Sequence, residues 1–197
     1  MDALLRAAEA ADYPAEVALV LSNRPDAPGL ARAAAAGVAT ACVDHRAFRG
    51  DRAAHDAAVD AALRAHGAEL LCLAGYMRLL TPGLVQAWEG RMLNVHPSLL
   101  PAFPGLDTHR RALEAGVRLH GCTVHLVTAA VDSGPILAQA AVPVLPGDDE
   151  AALAARVLAQ EHRLYPLALR LRIEGGSGEA DPAASLLNPL PTAPERP

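Results

Sequence analysis

Short apolar runs alternate with helix-like segments over the first half of the chain. Four runs predict buried strands, because each is short, nearly continuous and followed by turn residues. They are Val17–Ser22, Ala39–Val43, Leu70–Ala74 and Met92–His96. The segments beside them predict helices over Met1–Ala11, Pro28–Ala36, Asp51–Ala65 and Thr81–Trp88. Strands and helices that alternate with short connections predict an α/β fold with a mainly parallel sheet.

The pattern changes after His96. A proline-rich loop, 97–107, leads to a short predicted helix over Thr108–Ala115. Two strand-like runs, Gly121–Val127 and Ile136–Val144, are separated by a short turn, which favours an antiparallel pair. A long final helix follows, capped by Asp148 or Asp149 and ending near Leu171. We therefore expect one domain over residues 1–174 and a disordered tail over 175–197, where Gly, Ser, Pro and Ala lack periodicity.

Composition excludes several classes of function. The chain has 197 residues and contains no lysine, so all 17 basic residues are arginines. This excludes a Schiff-base lysine and a lysine-containing phosphate-binding P-loop. The formal net charge of −5 gives no reason to expect a nucleic-acid or membrane partner. Three widely spaced cysteines, at positions 42, 72 and 122, predict small buried side chains rather than disulfides, and with no signal peptide a cytoplasmic location is expected.

Asn94 and His96 are the first candidates for catalysis. Positions i and i+2 of a strand share a face, and open α/β sheets place their ligands at the carboxyl ends of parallel strands. An amide beside an imidazole suits acyl transfer, although a structural histidine fits the same spacing. Asp132 lies in a predicted turn, where it could orient His96 or only satisfy its own backbone. The remaining histidines have no convincing metal-ligand spacing, so we predict no metal site.

Several blocks of the sequence, in order, resemble the glycinamide ribonucleotide formyltransferase family, the folate-dependent enzymes of purine synthesis. The blocks cover residues 73–78 (LAGYMR), 94–101 (NVHPSLLP), 103–109 (FPGLDTH), 121–125 (GCTVH), 131–136 (VDSGPI) and 160–166 (QEHRLYP). The resemblance implies a Rossmann-like formyltransferase fold with a mainly parallel sheet, a C-terminal antiparallel pair and a long final helix. It also implies formyl transfer from 10-formyltetrahydrofolate to the amine of 5'-phosphoribosylglycinamide.

The resemblance assigns roles to the candidate residues. Asn94 and protonated His96 would stabilise the oxyanion, His96 would move the proton, and Asp132 would favour the charged form of the imidazole and order water. Two larger sets would bind the substrates, without a metal. The folate co-substrate would contact Arg52, Met77, Arg78, Leu79, Leu80, Asn94, Val127 and Asp132. The ribonucleotide would contact Gly75, Met77, Pro97 and Glu161. For Arg52, an exposed arginine at a helix start fits the sequence equally well, and for Glu161 the alternative is a solvated helix carboxylate.

The family's first strand and its glycine-rich phosphate loop have no counterpart in this sequence. We expect the sheet to lack that strand, which would leave two neighbouring strands without a shared partner. A true start upstream of Met1 is the preferred explanation; a degenerate relative, or an acceptor without a phosphate, would also explain it. The alternatives for function are hydrolysis of 10-formyltetrahydrofolate and an inactive folate-binding module. We expect only small-molecule substrates and either a monomer or a homodimer.

Overall fold

A computed structural model describes residues 1–175 and 186–187. The chain forms two compact units. The first contains residues 1–94 and 126–130, and the second contains residues 95–125 and those from 131 onward. Nearly all of the tail predicted over 175–197 lies outside the described residues, so its disorder stays a prediction.

In the first unit, helices and strands alternate as predicted. The elements are α1 (Asp2–Ala8), β1 (Val20–Ser22), α2 (Pro28–Ala35), β2 (Thr40–Cys42), α3 (Arg52–Ala65), β3 (Leu71–Leu73), α4 (Pro82–Ala87) and β4 (Met92–His96), whose last two residues belong to the second unit. Side chains cap two of these helices: the Asp51 carboxylate accepts from the Ala54 amide at 3.0 Å, and Thr81 precedes Pro82 at the start of α4. A 3-10 turn over His45–Phe48 was not predicted.

The strands of the first unit form two separate parallel pairs. β1 pairs with β2, and β3 pairs with β4, with Leu73 opposite Asn94. Within the described residues, no ladder joins β1 to β3. This agrees with the expectation that two strands would lack a shared partner.

Two sequence predictions for β1 and β2 were wrong in detail. Residues 17–19 precede β1 and are not part of it. An apolar run indicates buried side chains but not strand pairing, and Leu19 packs against the apolar core without forming ladder hydrogen bonds. Cys42 was expected to be buried but is exposed, because β2 places its two end residues toward solvent.

The core of the first unit lies between α3, α4 and the β3–β4 pair. Val59 and Leu63, four residues apart on α3, pack with Leu71, Leu84, Trp88 and Met92. Trp88 is 1% exposed, and its indole N–H donates to the Asp60 carboxylate at 2.7 Å. A buried tryptophan needs such an acceptor, so Asp60 ties α3 to the residue that ends α4.

The second unit contains α5 (Thr108–Glu114), β5 (Leu119–Leu126), β6 (Ile136–Pro143), α6 (Glu150–Glu174) and β7 (Leu186–Leu187). β5 and β6 are antiparallel, as predicted, and β7 runs parallel to β6. Asp149 caps α6 by accepting from the Ala152 amide at 2.8 Å, whereas Asp148 binds Arg156 at 2.7 and 2.9 Å. The helix continues past the predicted end at Leu171 to Glu174.

Gly121 is required by the close approach of β5 to β6. A Cβ atom there would overlap the Ala140 carbonyl oxygen and lie 2.9 Å from the Leu99 Cδ2 atom. We expect Gly121→Ala to lower the free energy of unfolding by about 1–3 kcal/mol, measured by urea denaturation. The matched control is Gly83→Ala in α4, where a Cβ meets nothing within 4 Å and stability should change by no more than about 1 kcal/mol. Equal effects of the two substitutions would contradict the expectation.

Candidate active site

His96 ends β4, and Asn94 precedes it by two residues on the same strand. His96 is 6% exposed and Asn94 is partly buried, so neither is an ordinary surface side chain. Both residues lie on one strand, so the prediction that their side chains share a face still rests on strand alternation.

The His96 ring lies between two hydrogen-bond acceptors. Its Nε2 atom is 3.0 Å from the Phe103 carbonyl oxygen, and its Nδ1 atom is 3.4 Å from Oδ2 of Asp132. A carbonyl oxygen can only accept, so Nε2 carries a proton. The doubly protonated imidazolium is the form that donates on both sides, and the carboxylate balances its charge. The ring is therefore held between a main-chain carbonyl and a carboxylate, an arrangement that fixes its orientation.

Asp132 connects the turn before β6 to the loop after β4. Its Oδ2 atom accepts from the Gly105 amide at 2.8 Å, and its Oδ1 atom lies 3.7 Å from Nε2 of His125. A turn aspartate that satisfied only its own backbone was the competing interpretation. Asp132 instead binds a main-chain group 27 residues away in sequence, and it also faces His96.

Both acceptors that face His96 belong to residues in the left-handed region of backbone conformation. Phe103 has φ 54° and Asp132 has φ 50°. Asparagine and aspartate tolerate this region, but a bulky residue such as phenylalanine rarely adopts it. Such a conformation costs of order 1–3 kcal/mol and persists only where its surroundings enforce it. The strain therefore lies mainly at Phe103, whose carbonyl orients the candidate catalytic imidazole.

Sequence reasoning missed the role of three other histidines in this unit. His125 is buried beside Asp132, and Nε2 of His120 lies 3.2 Å from Nδ1 of His109. His120 also packs edge-on against Phe103, with 5.9 Å between ring centroids. Alternation along β5 could have placed His125 on a common face with Thr123, but no local signal identifies its partner across the turn.

The His120 side chain makes the stability of the protein depend on pH. Burial, and then the neighbouring His109, lower the pKa of His120 to about 4. In the unfolded chain the imidazole takes up a proton near pH 6.5, whereas in the folded protein it stays neutral down to about pH 4. The free energy of unfolding is therefore unaffected by His120 above pH 6.5 and decreases as the pH falls from 6.5 toward 4. Between pH 7 and pH 5 we expect a loss of about 2 kcal/mol in wild type and a clearly smaller loss in His120→Gln. Urea denaturation at both pH values measures this, and equal losses would refute it.

The predicted folate-contacting residues of the first unit divide into two groups. Gly75, Met77, Arg78 and Leu79 lie in the loop between β3 and α4, where Met77 is 78% exposed and Leu79 is 64% exposed. Leu80 and Val127 pack against the apolar core of this unit. Arg52 is the exposed first residue of α3. Met77 and Leu79 therefore present apolar surface to solvent, and the exposed position of Arg52 does not distinguish a folate contact from an ordinary surface arginine.

The second unit contains the other predicted ribonucleotide contacts. Pro97 follows His96 directly, and Glu161 lies on α6. Burial raises the pKa of Glu161, so it is not a fully solvated helix carboxylate. The side-chain oxygen of the preceding Gln160 is buried and has no hydrogen-bond partner among the described residues. Partial burial of both side chains distinguishes this part of α6 from a fully solvated helix surface.

Residues 1–169 match the model of the Formyl transferase family. The phosphoribosylglycinamide formyltransferase of Escherichia coli K12 is 43% identical over 175 residues, which are 89% of this chain and 82% of that protein. The crystal structure of phosphoribosylglycinamide formyltransferase from Brucella melitensis is 56% identical, with a TM-score of 0.84 over 91% of this chain and 92% of that one.

A chicken relative is much longer. The trifunctional purine biosynthetic protein adenosine-3 of Gallus gallus is 46% identical over 175 residues, but this chain spans only 17% of its length.

The chain belongs to the formyl transferase family. Its likeness to solved phosphoribosylglycinamide formyltransferases confirms the predicted Rossmann-like fold. No helix in the described part of the chain is long and apolar enough to span a membrane.

Proposed function

We propose that this chain transfers a formyl group from 10-formyltetrahydrofolate to the amine of 5'-phosphoribosylglycinamide. Curated and solved relatives named phosphoribosylglycinamide formyltransferase support formyl transfer to this acceptor, and the donor is the one that the resemblance in sequence implies. The observation that carries the proposal is the His96 imidazole, held between the Phe103 carbonyl and the Asp132 carboxylate.

The reaction needs an oxyanion stabiliser and a proton carrier. The amine nitrogen forms a bond to the formyl carbon, and the bond from that carbon to N10 of the folate breaks as the tetrahedral intermediate collapses. One amine proton leaves and N10 gains one, so atoms and charge balance. The Asn94 amide would donate to the oxyanion, and the His96 imidazolium would join it once a ring N–H exchanges its protein acceptor, the Phe103 carbonyl or the Asp132 carboxylate, for the substrate. His96, directly or through a water molecule, would carry the proton, with Asp132 balancing its charge.

The substrate-binding residues belong to the same proposal. The loop that contains Met77 and Leu79 would hold the pterin through its exposed apolar side chains, with Arg78, Leu80, Val127 and Arg52 completing the folate contacts. Gly75, Met77, Pro97 and Glu161 would contact the ribonucleotide. The desolvated Glu161 carboxyl group supports a hydrogen bond to a sugar hydroxyl.

Turnover of 10-formyltetrahydrofolate with and without 5'-phosphoribosylglycinamide tests the proposal. We expect formation of tetrahydrofolate that requires the amine and equals formylglycinamide product one to one. Turnover that is independent of the amine would instead establish a 10-formyltetrahydrofolate hydrolase. No turnover in either mixture, together with folate binding by calorimetry, would establish an inactive folate-binding relative.

A further inference from the structure

We propose that Arg111 is a positioning residue for both His96 and Asp132, and that it acts through the main chain of residues 102–106. This proposal rests on the formyl transfer proposed above. We name residues 102–106 the clamp loop, because its main-chain groups bind both partners of the candidate catalytic pair.

The clamp loop uses its backbone to hold side chains. The Phe103 carbonyl accepts from His96, and the Gly105 amide donates to Asp132 at 2.8 Å. At the start of the loop, the fully buried Ser98 hydroxyl donates to the Ala102 carbonyl at 2.6 Å. A shift of this loop would therefore move the hydrogen-bond partners of His96 and Asp132 together.

The loop does not adopt its conformation from local preference. Phe103 has φ 54° and Gly105 has φ 78°, so two of its five residues lie in the left-handed region. Glycine adopts such values freely, but phenylalanine does not. Contacts from outside the loop must hold Phe103 in place.

Arg111 supplies one set of these contacts from α5, beside the edge-on contact that His120 makes with the Phe103 ring. The Arg111 Nη1 atom donates to the Pro104 carbonyl at 2.5 Å and to the Leu106 carbonyl at 3.3 Å. Its guanidinium carbon lies 5.7 Å from the centroid of the Phe103 ring. One side chain thus binds the carbonyls on both sides of Gly105 and covers the strained Phe103.

The planar guanidinium suits this task better than an ammonium group would. It can donate in its own plane while its face covers an aromatic ring, and a lysine cannot do both. The neighbouring Arg110 makes a useful comparison, because it pairs only with the exposed carboxylates of Asp107 and Glu114 in the contacts described for its side chain.

Steady-state kinetics of Arg111→Ala, Arg111→Lys and the matched control Arg110→Ala test the proposal. For Arg111→Ala we expect kcat to fall by about tenfold to a hundredfold, because a small displacement of catalytic groups has effects of this size. KM should stay within about twofold, since Arg111 is not proposed to bind substrate. Arg111→Lys should recover only part of kcat, and millimolar guanidinium ion should raise kcat of Arg111→Ala but not of Arg110→Ala.

A second measurement is independent of activity. In protein labelled with ¹⁵N-histidine, the His96 ring signals are identified by their loss in His96→Gln. We expect these signals to move in Arg111→Ala and to stay in place in Arg110→Ala. Unmoved His96 signals, or a loss of kcat equal to that of Arg110→Ala, would overturn the role of Arg111.

The two proposals fail separately. If wild type transfers no formyl group, the proposed function is wrong and the NMR comparison still decides the role of Arg111. If circular dichroism shows that Arg111→Ala does not fold, Arg111→Lys decides it by the same signals.

Discussion

Replacing His96 with alanine lowers kcat for formyl transfer by about 10²- to 10⁴-fold, the range expected for loss of a general acid–base group. The imidazole faces the Phe103 carbonyl through Nε2 and the Asp132 carboxylate through Nδ1, and alanine removes both contacts together with the ring that would carry the proton. Initial rates at saturating 10-formyltetrahydrofolate and 5'-phosphoribosylglycinamide measure the effect.

The matched control is His66→Ala. His66 is exposed and follows the end of α3, where its Nδ1 atom lies 2.8 Å from the Ala62 carbonyl oxygen. We expect kcat of this variant to stay within about twofold of wild type, as is usual for surface substitutions outside a site. A wild-type kcat in His96→Ala would refute the proton-carrying role.

Replacing Asp132 with asparagine lowers kcat by about 10²-fold or more while the protein stays folded. Asparagine tolerates φ 50°, and its carbonyl oxygen can still accept from the Gly105 amide. The substitution removes the negative charge that faces His96, so the imidazolium loses its counter-charge. The comparison with His96→Ala uses the same initial-rate assay, and circular dichroism reports the fold.

Asp107→Asn is a matched control for the backbone. Asp107 has φ 55° and is exposed, and its carboxylate pairs with Arg110. The two variants thus make the same chemical change in the same region of backbone conformation, but only one touches His96. If both lose activity equally, or if Asp132→Asn retains it, the charge of Asp132 is not what supports the reaction.

The two candidate catalytic residues that lie on β4 could be predicted from the sequence. Asn94 and His96 are two residues apart at the end of an apolar run, and strand alternation alone gives them a common direction. The apolar run also predicted that both residues lie at the carboxyl end of the strand, and β4 ends at His96.

The rest of the site could not be predicted from local patterns. The contact between Asp132 and His96 depends on how the turn before β6 meets the clamp loop, and turn aspartates usually bind nearby backbone. The positive φ of Phe103 breaks the ordinary preference of its residue type, so no propensity predicts that its carbonyl faces the imidazole. Resemblance to a family supplied Asp132, but neither spacing nor resemblance indicated Arg111.

The bounds of the strands also could not be predicted fully from local sequence patterns. The run 17–22 is nearly continuous in apolar residues, yet only Val20–Ser22 forms a ladder, because partial burial of Leu19 against the core requires no strand partner. Helix boundaries that depend on a side-chain cap were predicted closely, as at Asp51 and Thr81, because a cap is a local interaction.

The ladder between β1 and β2 joins three residues on each strand, and no strand pairs with the other edge of β1 in the part of the chain that the structure describes. In native-state hydrogen exchange, such a short ladder opens at a free energy well below that of global unfolding. Leu21 and its neighbours in β1 would therefore exchange their amide hydrogens through local opening. The amide hydrogens of the β3–β4 ladder, which packs against the Trp88 core, would exchange only in larger openings. The first unit would therefore contain two ladders that open at different free energies.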